Sequence, residues 1–168
     1  MATCEWVGNA LAVAQVHTWT FAGTWEATDV INVTINGKTI SVVAGDTVAA
    51  TVATTVYTAL AASTIPEFRE IPWTDDAAGV LTGTGVTAGQ PFVCTIATTE
   101  TGGGGADAQT INGAASSTGT VTTAARGPND VANTANWSGA ALPVDGDTII
   151  IRRGVSLLYG LTTLSGVT

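Results

Sequence analysis

The segment that most narrows the fold runs from Asp29 to Val43. Ile31, Val33 and Ile35 alternate with Asn32 and Thr34, Asn36-Gly37 follows, and Lys38-Thr39-Ile40-Ser41-Val42 completes the run. A period of two places the three aliphatic side chains on one face of a strand. Asn-Gly between two such runs is a strong hairpin signature, because both residues tolerate the positive φ of a type I′ turn. Gly45-Asp46-Thr47 then opens a helix, with Asp46 or Thr47 placed to cap its free N–H groups. Val48, Val52, Val56 and Leu60, beside Ala49, Ala53 and Ala59, make one apolar stripe running to about Ala62. Thr51, Thr54, Thr55 and Thr58 on the other side are poor helix formers, so this helix needs a sheet to lean on.

The flanking segments read as strands. Val13 to Phe21 places Val13, Gln15, His17, Trp19 and Phe21 on one face, and both faces are expected to be partly covered. Beyond Pro66, strands are expected over Phe68–Thr74, Val80–Thr84 and Phe92–Thr99, with a turn at Asp75–Gly79. Weaker strands follow at Ala108–Asn112 and Thr120–Ala124, and residues 101–106 form a loop tip. Residues 1–26 thus read as N-terminal strands or a docking arm. Residues 27–125 read as an α+β module of hairpin, helix and antiparallel strands. Residues 126–168 read as a linker near Pro128 followed by a β-solenoid-like segment. The solenoid reading rests on short strands broken by glycine: Thr148–Ile151, Val155–Tyr159 and Leu161–Leu164. The fold class is therefore mainly β with one helix, and the solenoid start is expected to need a partner over its edge.

Charge excludes several partners. The 168 residues hold 45% hydrophobic but only 11% charged residues, with a formal net charge of −8. Five Lys and Arg cannot build the basic stripe that phosphates or anionic lipids require, so neither nucleic acid nor a membrane is an expected partner. The first residues, Met1 to Trp6, show no signal-peptide pattern, and no apolar run is long enough to span a bilayer. Assembly in a cytoplasm is the expectation. Cys4 and Cys94 form no C-x-x-C and read as two buried thiols, with a disulfide or intersubunit link as the alternative.

Chemistry is sparse. His17 is the single histidine and lacks an evident carboxylate partner, so it reads as a packed strand residue. No G-x-S-x-G elbow is present. Asp145-Gly146-Asp147 could offer oxygens to Ca²⁺ but lacks the remaining ligands of an EF-hand loop, and reads as a turn before a strand. Glu67 and Glu70 show no sign of a glycosidase cleft. Gly102–Gly105 lacks the Lys-Ser/Thr of a phosphate loop. No catalytic residue, cofactor or metal ligand is assigned. Five tryptophans occur, and Trp is enriched both in cores and in interface anchors. Trp6, Trp19 and Trp25 near the N-terminus, with Leu158, Tyr159, Leu161 and Leu164 near the C-terminus, are the candidate interface residues.

DVINVTINGKTISVVAGDTVAATVATTVYTALAAS (Asp29–Ser63), with VLTGTG (Val80–Gly85) and TAGQPFVCTIATTE (Thr87–Glu100), resembles a module recurring in tailed-bacteriophage virion proteins and in large bacterial surface proteins. GPNDVANTANWSGAALPVDGDTIII (Gly127–Ile151) looks like the lead-in to a β-helix in the same kinds of protein. The resemblance implies a non-enzymatic virion role: a capsid decoration protein, or the virion-anchoring part of a head or tail fibre. It implies a homotrimer that contacts the major capsid or tail protein. A glycan-binding or adhesive module of a bacterial surface protein, using tryptophans as sugar platforms, is the alternative.

Overall fold

The computed structural model describes residues 2–101 and 108–157. Its strands are β1 (Thr3–Glu5), β2 (Val16–Ala22), β3 (Val30–Ile35), β4 (Lys38–Val43), β5 (Trp73–Asp75), β6 (Val80–Thr84), β7 (Cys94–Thr99), β8 (Thr110–Ile111), β9 (Ser116–Ser117), β10 (Thr120–Thr123) and β11 (Thr148–Ile150). Helices α1 (Ala49–Ala61) and α2 (Pro66–Arg69) lie between β4 and β5. The protein is thus mainly β with one long helix. It divides into two compact units, one of Gln15–Thr87 and Pro91–Ala124, the other of Met1–Ala14, Ala88–Gln90 and Ala125–Thr168.

In the larger unit the hairpin forms as its alternation requires. Asn36 (φ 49°) and Gly37 (φ 74°) both adopt positive φ, and Ile35 pairs with Lys38. The other side of β3 pairs with β7, from Val30↔Thr99 to Ile35↔Cys94, and β9 completes the order β4-β3-β7-β9. Ile31, Val33 and Ile35 all point into the core. A second antiparallel sheet has the order β10-β2-β6-β5, with β8 pairing the end of β2. It sends Trp19, Phe21, Leu81 and Trp73 into the same core. Helix α1 lies against β2, β4, β5 and β6 and adds Val52, Ala53, Val56 and Leu60. Thr54, Thr55 and Thr58 return their hydroxyls to the carbonyls of Ala50, Thr51 and Thr54. Packing, more than propensity, therefore holds the helix.

Some expectations shift. Asp46 does not cap α1: its Oδ1 accepts the Thr47 and Val48 amides in a turn before the helix. Val48 is consequently the extended residue ahead of Ala49 and is 56% exposed, so the buried stripe begins at Val52. The strand expected over Phe68–Thr74 is α2 followed by the short β5. Pro66 at the first helical position suits a helix start, and the buried Phe68 and Ile71, three apart, fit a helical turn, whereas a strand would send them to opposite faces. Strand β2 begins at Val16, not Val13, and β7 at Cys94, not Phe92.

The smaller unit brings distant segments of the chain together. β1 and β11 pair in parallel, Thr3↔Thr148 to Glu5↔Ile150. Trp6 and Trp137 meet edge to face at 5.1 Å and 88°. With Cys4 and Val131 they form its core. Of the expected solenoid strands, Thr148–Ile151 is realised as β11, and residues 155–157 carry no strand. The remainder, with the Leu161–Leu164 segment, lies outside the described residues, as does most of the 101–106 loop tip.

Gly83 on β6 pairs with His17 on one side and Trp73 on the other. A Cβ there would come within 2.9 Å of the Trp73 ring, 3.0 Å of Ile71 and 3.3 Å of Trp19. Gly83→Val should therefore destabilise the protein by about 2 kcal/mol or more through overpacking. Chemical denaturation monitored by tryptophan fluorescence checks this.

Candidate functional site

The outward face of the β4-β3-β7-β9 sheet is a ladder of uncharged side chains. Cross-strand register places Thr39, Thr34 and Thr95 in one row, Ser41, Asn32, Ala97 and Ser116 in the next, and Val43, Val30 and Thr99 in the third. All are exposed or half-buried, Val43 at 57%. The rows are tied by Thr34–Thr39, Ser41–Asn32 and Asn32–Thr99 hydrogen bonds. Exposed sheet faces ordinarily carry charge to discourage association; this one carries none. Helix α1, Ala49 to Ala61, is also free of charged residues.

The residues nominated from sequence fall elsewhere. Trp19 and Trp25 are fully enclosed in the larger core, and Trp6 lies in the smaller one. Trp73 and Trp137 are buried as well, so each of the five tryptophans serves as core here. Leu158, Tyr159, Leu161 and Leu164 lie outside the described residues.

His17 is enclosed between Trp19 and Phe92, with ring centroids 5.6 and 5.0 Å away. Its Nδ1–H donates to the Thr118 carbonyl at 3.0 Å, which leaves Nε2 to accept from the Gln15 amide. Gln15 in turn holds both the N–H and the carbonyl of Phe92. Both ring nitrogens are engaged in a buried packing network, an arrangement unlike that of a general base open to substrate.

Two further polar centres organise the smaller unit. The buried Asn136 side chain accepts the Ala10 amide and donates to the Gly127 and Asp130 carbonyls, while the Asn136 backbone carbonyl accepts the Val7 and Gly8 amides. Asp147 accepts the Ala2 and Val144 amides, which hold its carboxyl below the usual carboxylate range. It is thus the last residue of a turn before β11. Both cysteines are free and buried. Burial, followed by the neighbouring Asp147 charge, pushes the Cys4 thiol up, and burial pushes Cys94 up to about 12. Near Glu5, an open cleft of about 720 Å³ runs beside Trp6, Gly8 and Pro128, with Arg152 donating to Glu5 Oε1 at 2.8 Å.

One cluster went unnoticed in the sequence. Carboxylate oxygens of Glu26, Asp29 and Glu100 lie within 4.8 Å of one another. At such separations each ionised pair repels by about 4 kcal/mol at an effective dielectric of 20. Asp29 is fully buried; its Oδ2 accepts the Glu26 amide, and its Oδ1 has no hydrogen-bond partner. The Gln109 amide orients Glu100 from 3.1 Å. Only the Glu26-x-x-Asp29 spacing was visible locally, because Glu100 joins through the pairing of Val30 with Thr99.

Comparison with protein-family models, characterised proteins and solved structures gave no match.

Two outcomes follow from the buried polar groups. Asn136→Asp replaces a double donor with an acceptor facing two carbonyls and should cost about 3 kcal/mol or more, read as early unfolding of the smaller unit in hydrogen exchange. Because the Asp147 pKa is lowered on folding, its contribution is present at neutral pH and is lost as pH falls through that lowered value. Asp147→Asn should therefore flatten the acid limb of the stability–pH curve measured by thermal unfolding.

Proposed function

We propose that this chain is a non-enzymatic structural protein of a bacteriophage virion, a capsid decoration protein or the virion-anchoring part of a head or tail fibre. In this reading it assembles as a homotrimer in the host cytoplasm and docks on a major capsid or tail protein. The observation that carries the proposal is the charge-free outer face of the four-stranded sheet. Covering such a face desolvates hydroxyls and methyls but no ion, which removes the largest cost of association. The hairpin–helix–sheet order agrees with the module that the Asp29–Glu100 sequence resembles. The parallel pairing of β1 with β11 is compatible with a first rung of a β-solenoid, in which neighbouring strands stack in parallel.

Non-enzymatic character is supported by the enclosed state of His17, with both nitrogens satisfied, and by thiols whose raised pKa values oppose thiolate formation. The adhesive alternative loses its main support, since sugar platforms need exposed aromatic faces and every tryptophan is at most 8% exposed.

The 168-residue chain at micromolar concentration should run at three times its 16.8 kDa mass in light scattering. Thr34→Lys combined with Ala97→Glu, placed on the outer face, should dissociate it to monomers with an unchanged circular dichroism spectrum. A monodisperse wild-type monomer without affinity for capsid or tail would overturn the proposal.

A further inference from the structure

We infer that Glu26, Asp29 and Glu100 form a binding site for a divalent hard cation, Ca²⁺ by size. Three carboxylates converge where β3 begins and β7 ends, with their oxygens within 4.8 Å of one another. An acidic cluster alone proves little, since surface carboxylates often gather without a ligand. Asp29 supplies the independent observation. It has no solvent exposure, and one oxygen is used by the Glu26 amide. Oδ1 is left buried without a hydrogen-bond partner, although nearly every buried polar atom in a native fold has one. A buried, unpartnered anionic oxygen beside two more carboxylates asks for a positive charge at short range.

The chemistry of the donors selects the ion. All are oxygens, and no histidine or cysteine belongs to the cluster, which disfavours zinc and copper. Oxygens bound to one Ca²⁺ at about 2.4 Å are at most about 4.8 Å apart, whereas Mg²⁺ at about 2.1 Å demands a tighter, near-octahedral set. Three carboxylates offer up to six oxygens, and water can complete the coordination of Ca²⁺. The surroundings are built to hold the ligands. Asp29 is fixed through its own carbonyl, which accepts the Ala44 amide, and Ala27 accepts Gly45. Gln109 donates to Glu100 from outside the cluster, the role a supporting hydrogen bond plays around a metal ligand. Bound Ca²⁺ would join the loop before β3, the end of β7 and, through Gln109, the approach to β8. The site would thus stiffen one end of the sheet whose outer face is free of charge, and it stands whether or not that face is an interface.

The test uses the full chain, stripped with EDTA and dialysed free of it. Calorimetric titration with CaCl₂ should show one site per chain with Kd below about 1 mM. Saturating CaCl₂ should raise Tm by about 4 °C or more, and MgCl₂ by less. Glu100→Gln and Glu26→Gln, both half-buried positions, should each weaken binding at least tenfold. Asp29→Asn, whose amide oxygen can still accept the Glu26 N–H, should abolish binding and raise the calcium-free Tm. Absence of heat and of a Tm shift at 10 mM CaCl₂ in the folded wild type would overturn the inference. So would binding that survives unchanged in both glutamine variants.

Discussion

The inward row of β3 is the constraint on which the larger unit depends. Ile31, Val33 and Ile35 are essentially free of solvent contact, and each is flanked on both sides by a paired strand. A slip of one residue would send all three outward and turn Asn32 and Thr34 into the core, so register is tightly specified. The Asn36-Gly37 turn fixes the β4 side. The β7 side brings Cys94 and Ile96 inward opposite Ile35 and Val33. Helix α1 and the second sheet then have one apolar surface to cover.

That same alternation produces the charge-free outer face. If odd-numbered residues of β3 are the core, the even-numbered ones are the exterior, and in all four strands the exterior is threonine, serine, asparagine, alanine and valine. Low overall charge, a compositional fact in sequence, thus becomes a located one: a ladder of hydroxyls and small side chains on a sheet face. Such a surface is inexpensive to desolvate and is crossed by side-chain hydrogen bonds. The acidic residues are concentrated instead at the sheet's end and in turns, as at Glu26, Asp29 and Glu100 or at Asp76, whose carboxyl is held below the usual range by the Val80 and Ala78 amides.

Local signals were legible in the sequence and long-range ones were not. The hairpin, its turn and the α1 stripe are periodic within fifteen residues, and they formed almost where the pattern placed them. At Phe68–Ile71 the helical signal was local but short: apolar residues three apart share a face in a helical turn and not in a strand, and Pro66 suits a helix start. Pairing of β1 with β11 across more than 140 residues leaves no local trace, nor does the buried amide of Asn136. The tryptophans illustrate a different limit. Composition identifies large amphipathic rings, but only the packing decides between core and surface, and here it enclosed every one. The acidic cluster depended on sheet order, so two of its members were only three residues apart in sequence and the third was far along the chain.

The central proposal is that the outer face of the β4-β3-β7-β9 sheet, with β4 as its terminal strand among the described residues, is covered by further copies of the chain. Amide hydrogen exchange of residues Lys38–Val43, followed across a hundredfold dilution of the 168-residue chain, tests it most directly. Covered, these amides lose protection on dilution while Ile31–Ile35 stay protected. Protection that is the same at every concentration would contradict the account.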